Sequence, residues 1–221
     1  LLLEKKKRRI FFYFGGDRKQ AAVWYQKAAD QGNAAARSPL GAMYEQGNGV
    51  PQDYKQAATL YQKAAEQGDV NAQVSLGLMY DRGLGVLNSD KQAAIWYQKA
   101  AEQGNAIAQN ALARKYAAGL GVPQNYKVAA HWYQKAAEQG YASAQFELGL
   151  LSYFGKGIPL DYKNAYVWLS VAIANGDNYS LFHDEAVKYR NDAESHLTPK
   201  QVEKAQELAN EYFNKYRSGI R

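Results

Sequence analysis

The side chains best suited to chemistry in this 221-residue chain are three histidines, recurrent Lys–Glu pairs and a set of Gly-x-Gly loops. None of them reads as a reactive site. His131 occupies a slot held by Val23, Thr59 and Ile95 elsewhere in the chain, which marks it as a surface position. His183 and His196 lack the spacing of a zinc pair. The Gly-x-Gly loops follow helical patterns rather than strands and lack the third glycine of a dinucleotide fingerprint, so they are turns. Lys63–Glu66, Lys99–Glu102 and Lys135–Glu138 set opposite charges three residues apart on a solvated helix face, not as a catalytic carboxylate pair. Cysteine is absent, which excludes disulfides, thiolate metal sites and cysteine nucleophiles. No other nucleophile has an evident base. The chain is therefore read as a non-enzyme: no catalytic residue, no cofactor, no metal and no small-molecule substrate are expected.

The elements that must position any functional residue come from an internal repeat. The block QAAVWYQKAADQG at 20–32 returns as QAATLYQKAAEQG at 56–68, QAAIWYQKAAEQG at 92–104 and VAAHWYQKAAEQG at 128–140, each 36 residues after the last. A fifth, decayed copy, NAYVWLSVAIANG, begins at Asn164. Between the blocks runs a second motif: LGAMYEQGNGVPQDYK at 40–55, LGLMYDRGLGVLNSDK at 76–91, LARKYAAGLGVPQNYK at 112–127 and LGLLSYFGKGIPLDYK at 148–163.

Each block has helical periodicity. Ala57, Leu60, Tyr61, Ala64 and Ala65 fall on one face. Asp53 or Ser89, three residues before Gln56 or Gln92, gives a start like a capping box. Gly32, Gly68, Gly104 and Gly140 stop the helix where a left-handed residue is needed. A partner helix starts at Asn33, Asp69 or Asn105, with Ala72, Leu76 and Tyr80 as its buried stripe. Gly41, Gly77 and Gly149, beside each leucine, let the two helices approach closely. Pro39 stands where another copy has Ser75, and the expectation is a late start or a kink in its helix. One helical hairpin cannot bury its own apolar face, whereas stacked neighbours can.

Composition agrees. Hydrophobic residues make up 47% of the chain, and no apolar run approaches the roughly 18 residues of a membrane span. The net charge is +6, but seven basic groups in residues 1–19 (Lys5, Lys6, Lys7, Arg8, Arg9, Arg18, Lys19) against Glu4 and Asp17 supply +5 of it. The remaining +1 argues against a nucleic-acid groove through the body. Residues 1–19 form an irregular basic segment or the worn end of another repeat. The apolar stretch Ile10–Phe14 is too short for a signal peptide. The compartment stays open, with a periplasmic or secreted location favoured over the cytoplasm. A repeat array over 20–176 (20–55, 56–91, 92–127, 128–163 and 164–176) precedes a helical cap over 177–221. In the cap, Thr198-Pro199-Lys200-Gln201 opens a helix carrying Val202, Ala205, Leu208 and Ala209 on one face.

The pattern A-x-x-x-L-G-x-x-Y-x-x-G-x-G-V-P-x-D-Y-x-K-A-x-x-W-Y-x-K-A-A-x-x-G resembles the Sel1-like repeats, relatives of the tetratricopeptide repeats. The resemblance implies an all-α, α/α solenoid, a right-handed superhelix of antiparallel helix pairs. It also implies a bacterial adaptor, secretion-linked factor or host-interaction protein. In tetratricopeptide arrays the second helix lines the concave face, so the variable positions there become the expected partner contacts: Leu78, Asp81, Arg82, Asn110, Arg114, Phe146, Leu150, Tyr153 and Phe154. The aromatic members of this set have an equal alternative duty, as apolar cover under the C-terminal cap. The expected function is a non-catalytic adaptor, monomeric and holding a protein or peptide. The alternatives are an inhibitor or immunity protein directed at a bacterial toxin, and a cell-wall-linked hydrolase accessory.

Overall fold

The computed structural model describes residues 17–176 and 181–217. Among these residues there are eleven helices and no strand. They are α1 Arg18–Asp30, α2 Ala34–Gln46, α3 Tyr54–Ala65, α4 Val70–Arg82, α5 Asp90–Glu102, α6 Ala106–Ala118, α7 Tyr126–Ala137, α8 Ala142–Phe154, α9 Tyr162–Asn175, α10 His183–Ser195 and α11 Pro199–Tyr216. The architecture is the all-α, α/α solenoid expected from the repeat. Odd-numbered helices through α9 are the first helices of each pair, even-numbered ones the second. The reading of residues 1–16 lies outside the described residues; Asp17 caps α1 by accepting from the Lys19 and Gln20 amides.

By contacts the chain divides into two compact units, residues 1–99 and 100–221, with the division inside α5. In the first unit Ala57, Ala58, Tyr61, Ala64, Ala65, Ala72, Leu76, Met79 and Trp96 form one buried cluster. Leu60 is only half-buried, and Ala58 takes its expected place in the core. The small alanines let helix backbones approach, and Gly77 takes this furthest. A Cβ there would lie 2.6 Å from the Tyr97 ring, well inside normal carbon contact. The loops are fixed in a similar way. Gly85 has φ +69°, and a Cβ on it would meet the Tyr54 carbonyl oxygen at 2.2 Å. The loop after α4 thus rests on the first turn of α3.

Capping follows the sequence closely. Asn33, Asp69 and Asn105 accept backbone amides at the starts of α2, α4 and α6. Gly32, Gly68, Gly104 and Gly140 all have positive φ. Pro39 does not delay its helix: α2 starts at Ala34 and has the same 13 residues as α4, α6 and α8. The early start survives because Asn33 caps it, so the proline's missing N–H is carried inside the helix.

A glutamine row passed unnoticed in the sequence. Buried Gln73, Gln109 and Gln145 donate to the carbonyls of Ala65, Ala101 and Ala137 at 3.1, 3.2 and 3.0 Å. These carbonyls lie at the ends of first helices, where intrahelical donors run out. In the second unit the row continues sideways, with Gln139 donating to Gln109 at 2.8 Å and Asn175 to Gln145 at 3.0 Å. The 36-residue spacing of these glutamines was the available signal.

The copy read as decayed is a full helix, α9, whose Trp168 is fully buried. Tyr212 and Tyr216 of α11 bring their rings to 5.1 and 6.0 Å from it. Thr198 and Gln201 form the expected capping box at the start of α11. The sequence reading did not single out α10.

Candidate partner-binding surface

The nine residues expected to meet a partner all sit on second helices, but their surroundings differ. In the 1–99 unit, Arg82 is exposed at the end of α4 and Leu78 is half-buried. Asp81 has a structural duty: it accepts a hydrogen bond from the Tyr97 hydroxyl at 3.0 Å. One repeat earlier, Glu45 accepts from Tyr61 at 2.7 Å. Burial first, and then the Glu45 carboxylate, hold the Tyr61 hydroxyl far above its ordinary range.

In the 100–221 unit, Asn110 and Phe146 are each only 6% exposed. Their slot, two residues before the leucine, changes identity between repeats yet is buried at Val74, Asn110 and Phe146 and half-buried at Ser38. Phe146 stacks on Phe182, just before α10, with centroids 5.0 Å apart. Leu150 packs on the same cluster as Leu169, Ala172 and Ala186. Tyr153 donates its hydroxyl to Asp192 of α10, and this bond pushes the phenol up to about 12. Its ring meets Tyr162 at 5.5 Å and Tyr189 at 5.0 Å. Helix α10 thus covers most of the aromatic stripe of α8. Phe154 is the exception, 45% exposed with Lys156 over its ring at 5.3 Å.

Arg114 is exposed on α6 and acts electrostatically on two groups of neighbouring helices. Tyr133 of α7 is held far above its ordinary range by burial, then by Glu147, with Arg114 opposing. Glu147 of α8 is half-buried and raised above the usual carboxylate range. Burial is the main cause, Arg114 opposes it and Glu185 of α10 adds to it.

First helices leave an open cleft of about 440 Å³ between α7 and α9, lined by Lys127, His131, Gln134, Leu148, Asp161 and Asn164 among others. Asp161 is occupied there as the cap of α9, accepting from the Asn164 amide at 3.0 Å. Among the described residues no group of three or more His, Asp or Glu side chains could hold a metal ion, and no helix is long and apolar enough to cross a membrane.

The chain matches the family described as Sel1 repeat over residues 12–33, 35–69, 70–105, 106–141 and 142–177. The chain belongs to the Sel1 repeat family. Sel1 repeats are typical of protein–protein interaction. Each full family unit takes a second helix with the first helix that follows it, as in α2 with α3. Helices α10 and α11 lie beyond the last matched unit. Among solved structures, the chain is similar to a protective antigen of uropathogenic Escherichia coli with the same repeat fold. Identity is 39%, the TM-score is 0.76, and the match covers 88% of this chain and 41% of that one. It is also similar to a Sel1 repeat protein from Oxalobacter formigenes, at 36% identity and TM-score 0.68, over 78% of this chain and 49% of that one. The chain therefore spans less than half the length of each. No relative is found among curated proteins.

Proposed function

We propose that this Sel1 repeat chain is a non-catalytic adaptor that holds protein or peptide segments against its second helices, with Arg82 as an anchor in the 1–99 unit and Arg114 as an anchor in the 100–221 unit. The supporting observation is one of constant backbone and changing exposed side chain. Arg82 stands where other second helices carry Gln46, Ala118 and Phe154, and Arg114 where they carry Ala42, Leu78 and Leu150. Both arginines are exposed, so the fold does not call on them for its core. Arginine is among the side chains that dominate binding energy at interfaces.

The test is a quantitative capture experiment. The wild-type chain identifies a partner from the source organism, and that partner is then titrated against the double variant Arg82→Ala/Arg114→Ala. Loss of about 1–2 kcal/mol per anchor, roughly tenfold each, is expected; Arg82→Ala should leave the melting temperature nearly unchanged, while Arg114→Ala lowers it modestly at neutral pH by removing the charge that opposes the burial of Glu147. Unchanged affinity would move the binding surface away from the second helices.

A further inference from the structure

The end of α8 and the loop after it depart from their counterparts at Phe154, Lys156 and Leu160 together. In the earlier loops the slot of Leu160 holds Gln52, Asn88 and Gln124. Each of these side-chain amides donates to a second-helix carbonyl, that of Glu45, Asp81 and Ala117, at 2.8, 2.6 and 2.8 Å. Leu160 has no amide to donate to the matching Tyr153 carbonyl, and it is 55% exposed. A polar lock has been exchanged for an apolar side chain in water. Phe154, also exposed, stands where Gln46, Arg82 and Ala118 stand elsewhere, and Lys156 where Asn48, Leu84 and Leu120 do.

These changes adjoin one another within the 100–221 unit. The Leu160 Cβ lies only 3.1 Å from where a Cβ on Gly155 would stand, so the leucine sits against the residue next to Phe154. The Phe154 ring meets Tyr189 of α10 edge-on, with centroids 5.4 Å apart. An ammonium lies over each ring, Lys156 at 5.3 Å from the Phe154 centroid and Lys188 at 5.5 Å from that of Tyr189. Neither lysine forms an ion pair among the described residues. The nearby carboxylates are engaged elsewhere: Asp192 accepts from Tyr153 and lies 3.6 Å from His196, and Asp161 caps α9. Exposed apolar side chains set together mark interaction surfaces, and the lysines around them fix the sign of the partner.

We infer that this patch receives an acidic segment, with an aromatic side chain packed on Phe154 and Leu160 and flanking carboxylates on Lys156 and Lys188. The inference rests on the adaptor reading, since Phe154 belongs to second helix α8, and adds the chemistry of what is held there. Covering Phe154 and Leu160 recovers the hydrophobic free energy that their exposure forgoes. An aromatic side chain gains further from edge-to-face packing on Phe154. The ammoniums keep their ring faces while accepting a carboxylate from the solvent side.

The test uses the isotope-labelled full chain, its amide resonances followed by NMR, and the peptide acetyl-Glu-Glu-Phe-Glu-Glu-amide. Controls replace the phenylalanine by alanine or all the glutamates by glutamine. Saturable shifts are expected over residues 153–162 and 186–192, with each control binding at least about fivefold more weakly. Leu160→Gln borrows the residue found at Gln124 and restores the lock. It should melt higher than wild type yet bind the acidic peptide about fivefold more weakly, because a fold contact has replaced a partner contact. Lys156→Asn, borrowing the residue found at Asn48, should narrow the preference for the glutamate peptide over its glutamine form. Equal binding of the glutamine peptide, shifts confined to other helices, or a Leu160→Gln protein that binds as wild type overturns the inference. So does association with phosphatidylserine vesicles in place of the peptide, which would make the patch a membrane contact. The two readings fail separately. If the peptide fails while Arg82→Ala/Arg114→Ala still weakens capture, the acidic-segment site is wrong and the adaptor stands.

Discussion

Tyr61, Tyr97 and Tyr133 hold one slot on three first helices, yet their hydroxyls have different fates. Tyr61 donates to Glu45 and Tyr97 to Asp81. The corresponding position for Tyr133 is Ala117, which offers no side-chain acceptor. Replacing Tyr61 by phenylalanine should therefore cost about 1–2 kcal/mol, the range of a part-buried hydrogen bond to a charged group. Tyr133→Phe should be neutral to within about 0.5 kcal/mol, because it only removes a buried hydroxyl lying near Glu147. Urea denaturation of the two variants checks the contrast, and equal losses would refute it. These residues also mark the limit of what the sequence shows. The positions after the motif tyrosine were legible as variable, but variation there is not freedom. Glu45 and Asp81 are matched to a tyrosine 16 residues later, whereas Arg82, with no such pairing, stays exposed. Asn110 and Phe146 teach the same lesson, since their changing slot packs inward.

At the scale of single helices, the two surprises have opposite causes. Helix α2 was expected to start late or to kink because of Pro39, and the late start does not occur because the Asn33 cap is local and strong enough to fix the start. The defect that remains is internal: proline supplies no N–H to the Ala35 carbonyl four residues back. Pro39→Ser, borrowing the residue found at Ser75, should therefore stabilise the protein by about 2 kcal/mol, less than the full penalty of a helical proline. Hydrogen exchange should show residues 34–46 gaining protection. No change in their exchange would mean the helix already accommodates the proline without loss. Helix α10 was missed for another reason. It begins after Phe182 without a side-chain cap, and only Ala186 and Ala193 are buried along it. With so little apolar periodicity, its helicity depends on what α8 and α9 present to it, and no local pattern announces that.

For the molecule as a whole, the solenoid was legible because five registers at one spacing repeat the same demands of capping, small residues and tight loops. The helices of the array, where their contacts are given, pack mainly on a neighbour in sequence, so the pattern that defines such a helix also defines most of its contacts. What repetition cannot specify is an end, where the next copy is missing and another surface must replace it. Here α11 does so. Its buried residues Ala205 and Ala209 join Ala165, Tyr166, Val167 and Val171 of α9 in one cluster, and its tyrosines lie against Trp168. Ending the chain before Thr198 would uncover that tryptophan, a side chain whose full burial removes roughly 150–250 Å² of mostly apolar surface from water. At about 25 cal/mol per Å², this one residue accounts for several kcal/mol, a large share of the stability of an ordinary domain. The truncated protein should bind a hydrophobic dye and lose hydrogen-exchange protection over residues 162–175. Because stability in such arrays is a sum of neighbour terms, residues 54–82 should keep most of theirs. Full protection of 162–175 after truncation would show that α11 is an appendage rather than the end cap. Uniform loss across both segments would instead show that the array unfolds as one unit, with no nearest-neighbour decay from its C-terminal end.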